Sequence, residues 1–282
     1  MRQRLIWLAM AVAVAAPAFG GTIITVNLGS SSPFALLGST ISNTGISQVT
    51  GNVGATTTIT DSGPWVVTGT VYPAGNSTAV AAYNAFENAY NTTLALSSTQ
   101  PTLTSLPLTQ TFTGNNVYTF TDDLSTATGT ALTFDAQNNP NEVFVIQIDG
   151  TLTVNGILTF NLINGAQADN IFWVVADAAT ISAGSSPAQT FDGSILAGTS
   201  FTMSAQTGGS GVLAGTVNGC VFSETANTLA GETDVNGCSA TTAATGGSSG
   251  VPEPRSAGLV SFAGLMGILA WRKVRSASIL ST

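Results

Sequence analysis

The sequence predicts a mainly β protein, a β-solenoid with one long α-helix alongside. Three observations carry that expectation. First, residues 195–238 repeat themselves. Leu196-Ala197-Gly198 returns as Leu213-Ala214-Gly215 and Leu229-Ala230-Gly231, steps of 17 and 16. Val217-Asn218-Gly219-Cys220 returns as Val235-Asn236-Gly237-Cys238, a step of 18. Such a period is too short for a helical hairpin and fits one solenoid coil, which buries its apolar face only when coils stack. Second, polar and apolar residues alternate over most of residues 22–238, with Gly and Asn at the turns. Third, one segment alone, residues 79–96, has a 3.6-residue apolar period.

The elements follow in order. Residues 1–20 read as a secretory signal: Met1-Arg2-Gln3-Arg4, an apolar run over 5–16, then Ala16-Pro17-Ala18 for cleavage. Residues 22–71 are Thr-rich and strand-like, at 40–44, 48–53, 56–60 and 67–71. Asn76-Ser77-Thr78 offers N-cap side chains. In the helix that follows, Val80, Tyr83, Phe86, Tyr90 and Leu94 form the stripe, and Ala81, Ala85 and Ala89 allow close packing. Strands resume at 117–120, 131–134, 143–148, 151–154 and 171–175. The run 143–148 has little alternation, which predicts burial on both sides, between the coil core and the helix. The folded domain covers residues 21–238, and 239–250 is a Gly/Ser/Thr/Ala linker.

Composition narrows the function. Only 7% of residues are charged, against roughly 25% in ordinary soluble domains. All six Lys and Arg lie at the chain ends, and there is no His. Between residues 21 and 250 stand 13 carboxylates and no cation. Phosphate recognition needs cations, so nucleic acid is excluded as a partner. Without His, Ser-His-Asp and Cys-His chemistry is unavailable. No Gly-rich loop with Lys exists to hold a nucleotide. Asp122-Asp123 is the sole adjacent acidic pair and reads as a solvated turn rather than a glycosidase dyad. Two Cys without His fall short of a zinc site, so no cofactor or metal is expected. Cys220 and Cys238, one coil apart, read as a disulfide on adjacent rungs, the alternative being two buried thiols.

At the far end, residues 251–275 resemble the PEP-CTERM sorting signal: Pro252-Glu253-Pro254, an apolar run to Trp271, then Arg272-Lys273-Val274-Arg275. The resemblance implies transient anchoring in the inner membrane, a cut by an exosortase-type enzyme, and release to the cell surface or extracellular matrix. A plain membrane anchor is the alternative.

A second resemblance covers residues 26–218. Phe34-Ala35-Leu36-Leu37-Gly38, Val49-Thr50-Gly51-Asn52-Val53-Gly54, Pro140-Asn141-Glu142-Val143-Phe144 and Asn164-Gly165-Ala166-Gln167 through Phe172-Trp173 occur in order. So do Gly193-Ser194-Ile195-Leu196-Ala197 and Thr199-Ser200-Phe201-Thr202. These blocks resemble the ice-binding-protein-like β-solenoid family of bacteria and fungi. The resemblance implies an irregular right-handed parallel β-helix with a helix along its side and N-terminal strands beside C-terminal coils. It also implies a flat face that adsorbs to ice without catalysis. Carried over to matching strands, that face would hold Thr40, Ser42 and Thr44, then Ser200, Thr202 and Ser204, then Thr216 and Asn218. Beyond Asn218 the chain departs from the blocks, and residues 220–238 look like an extra coil or cap. No regular Thr-x-Thr column is visible in the sequence. Besides ice binding, two readings remain: a structural or adhesive component of an exopolysaccharide matrix, and a polysaccharide-active enzyme.

Overall fold

The computed structural model describes residues 23–182, 189–204 and 213–238. The signal segment, the linker and the Pro252-Glu253-Pro254 tail lie outside the described residues. Five strands come first: β1 (Phe34–Asn43), β2 (Ser47–Val49), β3 (Asn52–Asp61), β4 (Trp65–Val67) and β5 (Val71–Tyr72). Helix α1 (Ser77–Leu94) follows. Next come β6 (Thr109–Thr113), β7 (Asn116–Phe120), β8 (Leu124–Thr126), β9 (Thr130–Asp135), β10 (Phe144–Ile148), β11 (Leu152–Asn155) and β12 (Leu158–Ile163). Then β13 (Ile171–Val175), β14 (Ala179–Ser182), β15 (Gln189–Asp192), β16 (Ser194–Ala197) and β17 (Ser200–Ser204). Last are β18 (Leu213–Asn218), β19 (Val221–Ser223), β20 (Ala226–Ala230) and β21 (Glu232–Val235).

All pairings are parallel, and the coils have three sides. The first side runs β7-β10-β13-β16-β19-β1-β3-β5. The second runs β8-β11-β14-β17-β20-β1-β3, because β1 and β3 are long enough to cross from one side to the next. The third side is in two pieces, β6-β9-β12 and β15-β18-β21-β2-β4. The N-terminal strands therefore stack on the last C-terminal coil, as the resemblance implied.

Two cores hold this together. Alternate residues of most strands fill the coil interior, among them Phe112, Phe134, Phe144, Ile146, Trp173, Phe191 and Phe201. On the outside of the first side, Phe34, Leu37, Val145, Phe172, Val174, Leu196 and Phe222 meet Ala82, Phe86, Ala89 and Tyr90 of α1. The extended segment with Ile24, Val26 and Leu28 seals the same seam. Every residue of β10 is buried, as its missing alternation predicts.

Several expectations shift. The helix starts and ends two residues before the predicted 79–96, because Asn76 is the cap: its Oδ1 accepts from the Thr78 N–H at 2.9 Å. Its buried row is Ala79, Ala82, Phe86, Ala89, Tyr90 and Thr93, whereas Ala81 and Leu94 are exposed. Alanine allows the close approach, so the apolar residues Val80 and Leu94 misled the stripe. The Leu-Ala-Gly copies do not stack on one another. Leu196 lies on the first side, the copy at 213 begins β18 on the third, and Leu229 lies on the second. Only the Val-Asn-Gly-Cys copies are one coil apart, with Val217 opposite Val235. Elsewhere a coil takes 28 residues (Val117 to Val145), 22 (Trp173 to Ile195) or 26 (Ile195 to Val221). The coil of residues 220–238 is no cap: β21 lies between β18 and β2. Cys220 and Cys238 are joined by a disulfide on adjacent rungs, with Cα atoms 4.7 Å apart.

Candidate functional site

The helix and the N-terminal segment cover the first side, leaving the second and third to meet other molecules. On the second side the inward residues are Leu124, Leu152, Val154, Ala179, Ile181, Phe201, Met203, Leu229 and Ile41, all buried in the coil core. Strand periodicity then turns the intervening residues outward. Pairing aligns one outward residue from each rung: Ser125, Thr153, Thr180, Thr202, Thr228, Ser42 and Thr60, in that order. Seven consecutive rungs thus present a hydroxyl at the same position. Rungs repeat at about 4.8 Å, so the column is about 29 Å long.

Shorter columns flank it. Ser200, Ala226, Thr40 and Thr58 align on one side. Asn155, Ser182, Ser204 and Ala230 align on the other. Every member is small, and none is charged or aromatic. Residues two apart along a strand are roughly 6.6 Å apart, so the side forms a low, regular grid. None of the seven central hydroxyls bonds to another described residue. Hydroxyls at the corners are spent differently: Thr225 Oγ1 donates to the Thr199 carbonyl at 2.7 Å, capping the adjacent rung.

The third side is unlike this. Between β12 and β15 the backbone ladder is broken, and the buried Gln189 amide replaces it. Its Oε1 accepts from the Leu158 N–H at 2.8 Å and its Nε2 donates to the Leu158 carbonyl at 3.1 Å. A further register shift falls between Leu213 and Gly215. Thr216 pairs with Thr190 and with Asp234, and Gln48 follows. Asn218 Nδ2 donates to Asp192 Oδ1 at 2.7 Å. Burial raises the Asp192 carboxyl above its usual range, and the Asn218 amide opposes the rise. Carboxylates and exposed Ile163 and Val66 make this side uneven in charge and polarity.

Of the residues singled out from sequence, Ser42 and Thr202 stand in the central column. Thr40, Ser200 and Ser204 stand in its neighbours. Thr44 lies just past β1, with its N–H donating to the Leu229 carbonyl at 2.9 Å. Thr216 and Asn218 belong to the third side and leave the group. Ser125, Thr153, Thr180, Thr228 and Thr60 were missed. Their local signal was present at every one but Thr60, which exposed Asp61 follows: each of the other hydroxyls sits between two buried residues, as in Leu152-Thr153-Val154 and Ala179-Thr180-Ile181. What the sequence hides is that residues 18 to 28 apart take the same position on adjacent rungs.

Chemistry is sparse. Asp122 and Asp123 fall in the exposed turn between β7 and β8, where Asp123 Oδ1 accepts from the Thr151 N–H at 2.8 Å. Among the described residues no group of three His, Cys, Asp or Glu is placed to hold a metal. No described helix is long and apolar enough to cross a membrane.

Known proteins were compared with this chain. A family model described as Ice-binding-like matches residues 35–236, so the coil of residues 220–238 lies within the family's span except for its last two residues. An ice-binding protein of Nostoc sp. (strain HG1) is 36% identical over 181 residues, covering 62% of this chain and 63% of the Nostoc protein. The match therefore spans just under two thirds of that relative. Ice-binding protein K3-B1 of Typhula ishikariensis is 38% identical over 78 residues, 28% of this chain and 30% of its own. A crystal structure of an ice-binding protein from an Antarctic biological consortium superposes with a TM-score of 0.64 at 29% identity, covering 78% of this chain and 95% of that one. One from the ascomycete Antarctomyces psychrotrophicus gives 0.61 at 26%, covering 74% and 97%.

Proposed function

Because this chain belongs to the Ice-binding-like family, we propose that it binds ice through the second side of its solenoid, by adsorption and without catalysis. The seven-rung hydroxyl column carries the reading. Its methyl and hydroxyl groups recur at two fixed spacings, so water held between them is ordered in two directions and can merge with a growing lattice. A charge would orient water around itself instead, and the grid contains none. The site comprises Ser125, Thr153, Thr180, Thr202, Thr228, Ser42 and Thr60, flanked by Thr40, Thr58, Ser200, Ser182 and Ser204.

The protein acts outside the cytoplasm on this reading. The N-terminal signal pattern supports it, as does the Cys220–Cys238 disulfide, since such bonds persist in oxidising compartments. The PEP-CTERM-like tail would anchor the chain in the inner membrane until an exosortase-type enzyme releases it. Thermal hysteresis and ice-recrystallisation assays on the purified protein test the function. Shaped, growth-arrested crystals are expected. If neither activity appears, the solenoid is a structural or adhesive component of the matrix.

A further inference from the structure

Four Asn-Gly pairs occur in the chain: Asn155-Gly156, Asn164-Gly165, Asn218-Gly219 and Asn236-Gly237. The dipeptide is chemically fragile. Asn Cγ and the next backbone nitrogen can close a five-membered ring, and Gly offers that nitrogen with no side chain to screen it. By sequence alone the four pairs rank equally.

The structure separates them. Asn164 Nδ2 donates to Asp135 Oδ1 at 2.8 Å, and Asn218 Nδ2 donates to Asp192 Oδ1 at 2.7 Å. Asn236 Nδ2 donates to Asn218 Oδ1 at 2.7 Å. Each of these three amides is held by a neighbouring side chain. Two of them also lie against a carboxylate, whose charge keeps hydroxide away. Asn155 differs on both counts. It ends β11, is exposed, and its side chain bonds to no other described residue. Its neighbours on successive rungs, Ser182, Ser204 and Ala230, are neutral. Gly156 has a φ of 80°, and a Cβ there would run into the Thr128 hydroxyl. No other residue fits that corner, so the fold itself preserves the fragile pair.

We infer that Asn155 is a deamidation site, at which this chain modifies itself with hydroxide and water from the solvent as the reagents. Hydroxide takes the Gly156 N–H proton, and the nitrogen bonds to Asn155 Cγ. The Cγ–Nδ2 bond breaks, and Nδ2 leaves as ammonia after taking a proton from water, which returns the hydroxide. Water then opens the ring. Cleavage between the nitrogen and Cγ leaves an aspartate. Cleavage between the nitrogen and the backbone carbonyl carbon leaves an isoaspartate, with the main chain rerouted through the side chain. Nothing is oxidised or reduced. Either product sets a carboxylate roughly 6.6 Å along the strand from Thr153, at the margin of a grid that holds no charge. The functional consequence rests on the proposed ice face: the new charge orients water around itself and weakens adsorption.

Incubation of the purified protein at pH 5 and at pH 9 tests the site, with peptide mapping by mass spectrometry and enzymatic labelling of isoaspartate. Amide loss several-fold faster at Asn155 than at Asn164, Asn218 or Asn236, and faster at pH 9, is expected. Loss at Asn155 no faster than at the other three would overturn the assignment. The consequence is read on the same samples. Hysteresis should fall several-fold in step with conversion at Asn155, at unchanged circular dichroism, and Asn155→Asp should show the lowered value from the start. Asn155→Ser, which carries the residue of its column neighbours, should hold its own starting hysteresis through the same incubation. Full conversion at Asn155 with hysteresis unchanged would overturn the consequence. A protein that converts at Asn155 but shows no hysteresis even when fresh would sink the ice reading and leave the modification site standing.

Discussion

At the residue scale, ice adsorption depends on shape repeated over rungs more than on any one hydroxyl. Thr202 sits in mid-column between Thr180 and Thr228 and is partly exposed. Thr202→Val keeps the branched outline and loses one hydroxyl, so it should keep most of the hysteresis and change stability by no more than about 0.5 kcal/mol. Thr202→Tyr raises a ring above a surface of small side chains and holds several rungs away from the lattice. It should abolish most of the activity at unchanged circular dichroism and melting temperature. Equal activity of wild type and Thr202→Tyr, measured by growth arrest of single ice crystals, would mean that another side binds ice. Thr216→Tyr on the third side is the control, expected to leave hysteresis intact.

At the element scale, the helix and the corners show how a chain without cations solves ordinary problems. The C-terminal carbonyls of α1 have no Lys or Arg to meet them. Gln147 of β10 reaches across instead, its Nε2 donating to the carbonyls of Thr93, Leu94 and Leu96 at 2.8, 3.2 and 2.9 Å. Gln147→Leu should destabilise by roughly 1–3 kcal/mol in denaturant unfolding, since the Leu94 and Leu96 carbonyls lose this donor and Thr93 keeps the Leu96 N–H at 3.3 Å. Gln147→Glu should be worse at neutral pH, because it adds a negative charge at the negative end of the helix. Gly45 stacks on Gly231 so closely that a Cβ would run into the Gly231 backbone, so Gly45→Ala should shift or break that corner. Breaking the disulfide with Cys220→Ser and Cys238→Ser should lower stability by roughly 3 kcal/mol for a loop of this size. Much of this scale was legible beforehand. Alternation marked most strands, Asn76 lay in the cap triplet, and the 18-residue Cys step is a true coil. The Leu-Ala-Gly repeat misled because it recurs on different sides. The column stayed hidden for the same reason: coil lengths of 18 to 28 residues scatter its members, and only backbone pairing lines them up.

At the scale of the whole molecule, the charge pattern separates stability from function. Thirteen carboxylates and no cation between residues 21 and 250 repel one another at neutral pH and burden the compact state. Burial raises Asp192 above its usual range. Burial, with Glu87 nearby, raises Glu224 likewise. A carboxyl raised in the folded state favours folding fully below its unfolded pKa, and that favour fades as pH rises through the folded value. Asp123 and Asp135 are lowered by hydrogen bonds, from Thr151 and from Asn164 and Gln137 respectively. They act the other way only at lower pH and, being exposed, weakly. Burial and nearby carboxylates push the Tyr83 and Tyr90 phenols up to about 12, so their contribution is lost from about pH 10 upward. The melting temperature should therefore rise as pH falls from 7 toward about 4 and drop steeply above pH 10. The proposed ice face carries no titratable group in its seven-rung column, so hysteresis measured between pH 4 and pH 9 should stay flat while the melting temperature moves. Activity that tracks pH at constant folded fraction would place ionised side chains in the contact layer and move the site to the carboxylate-bearing third side.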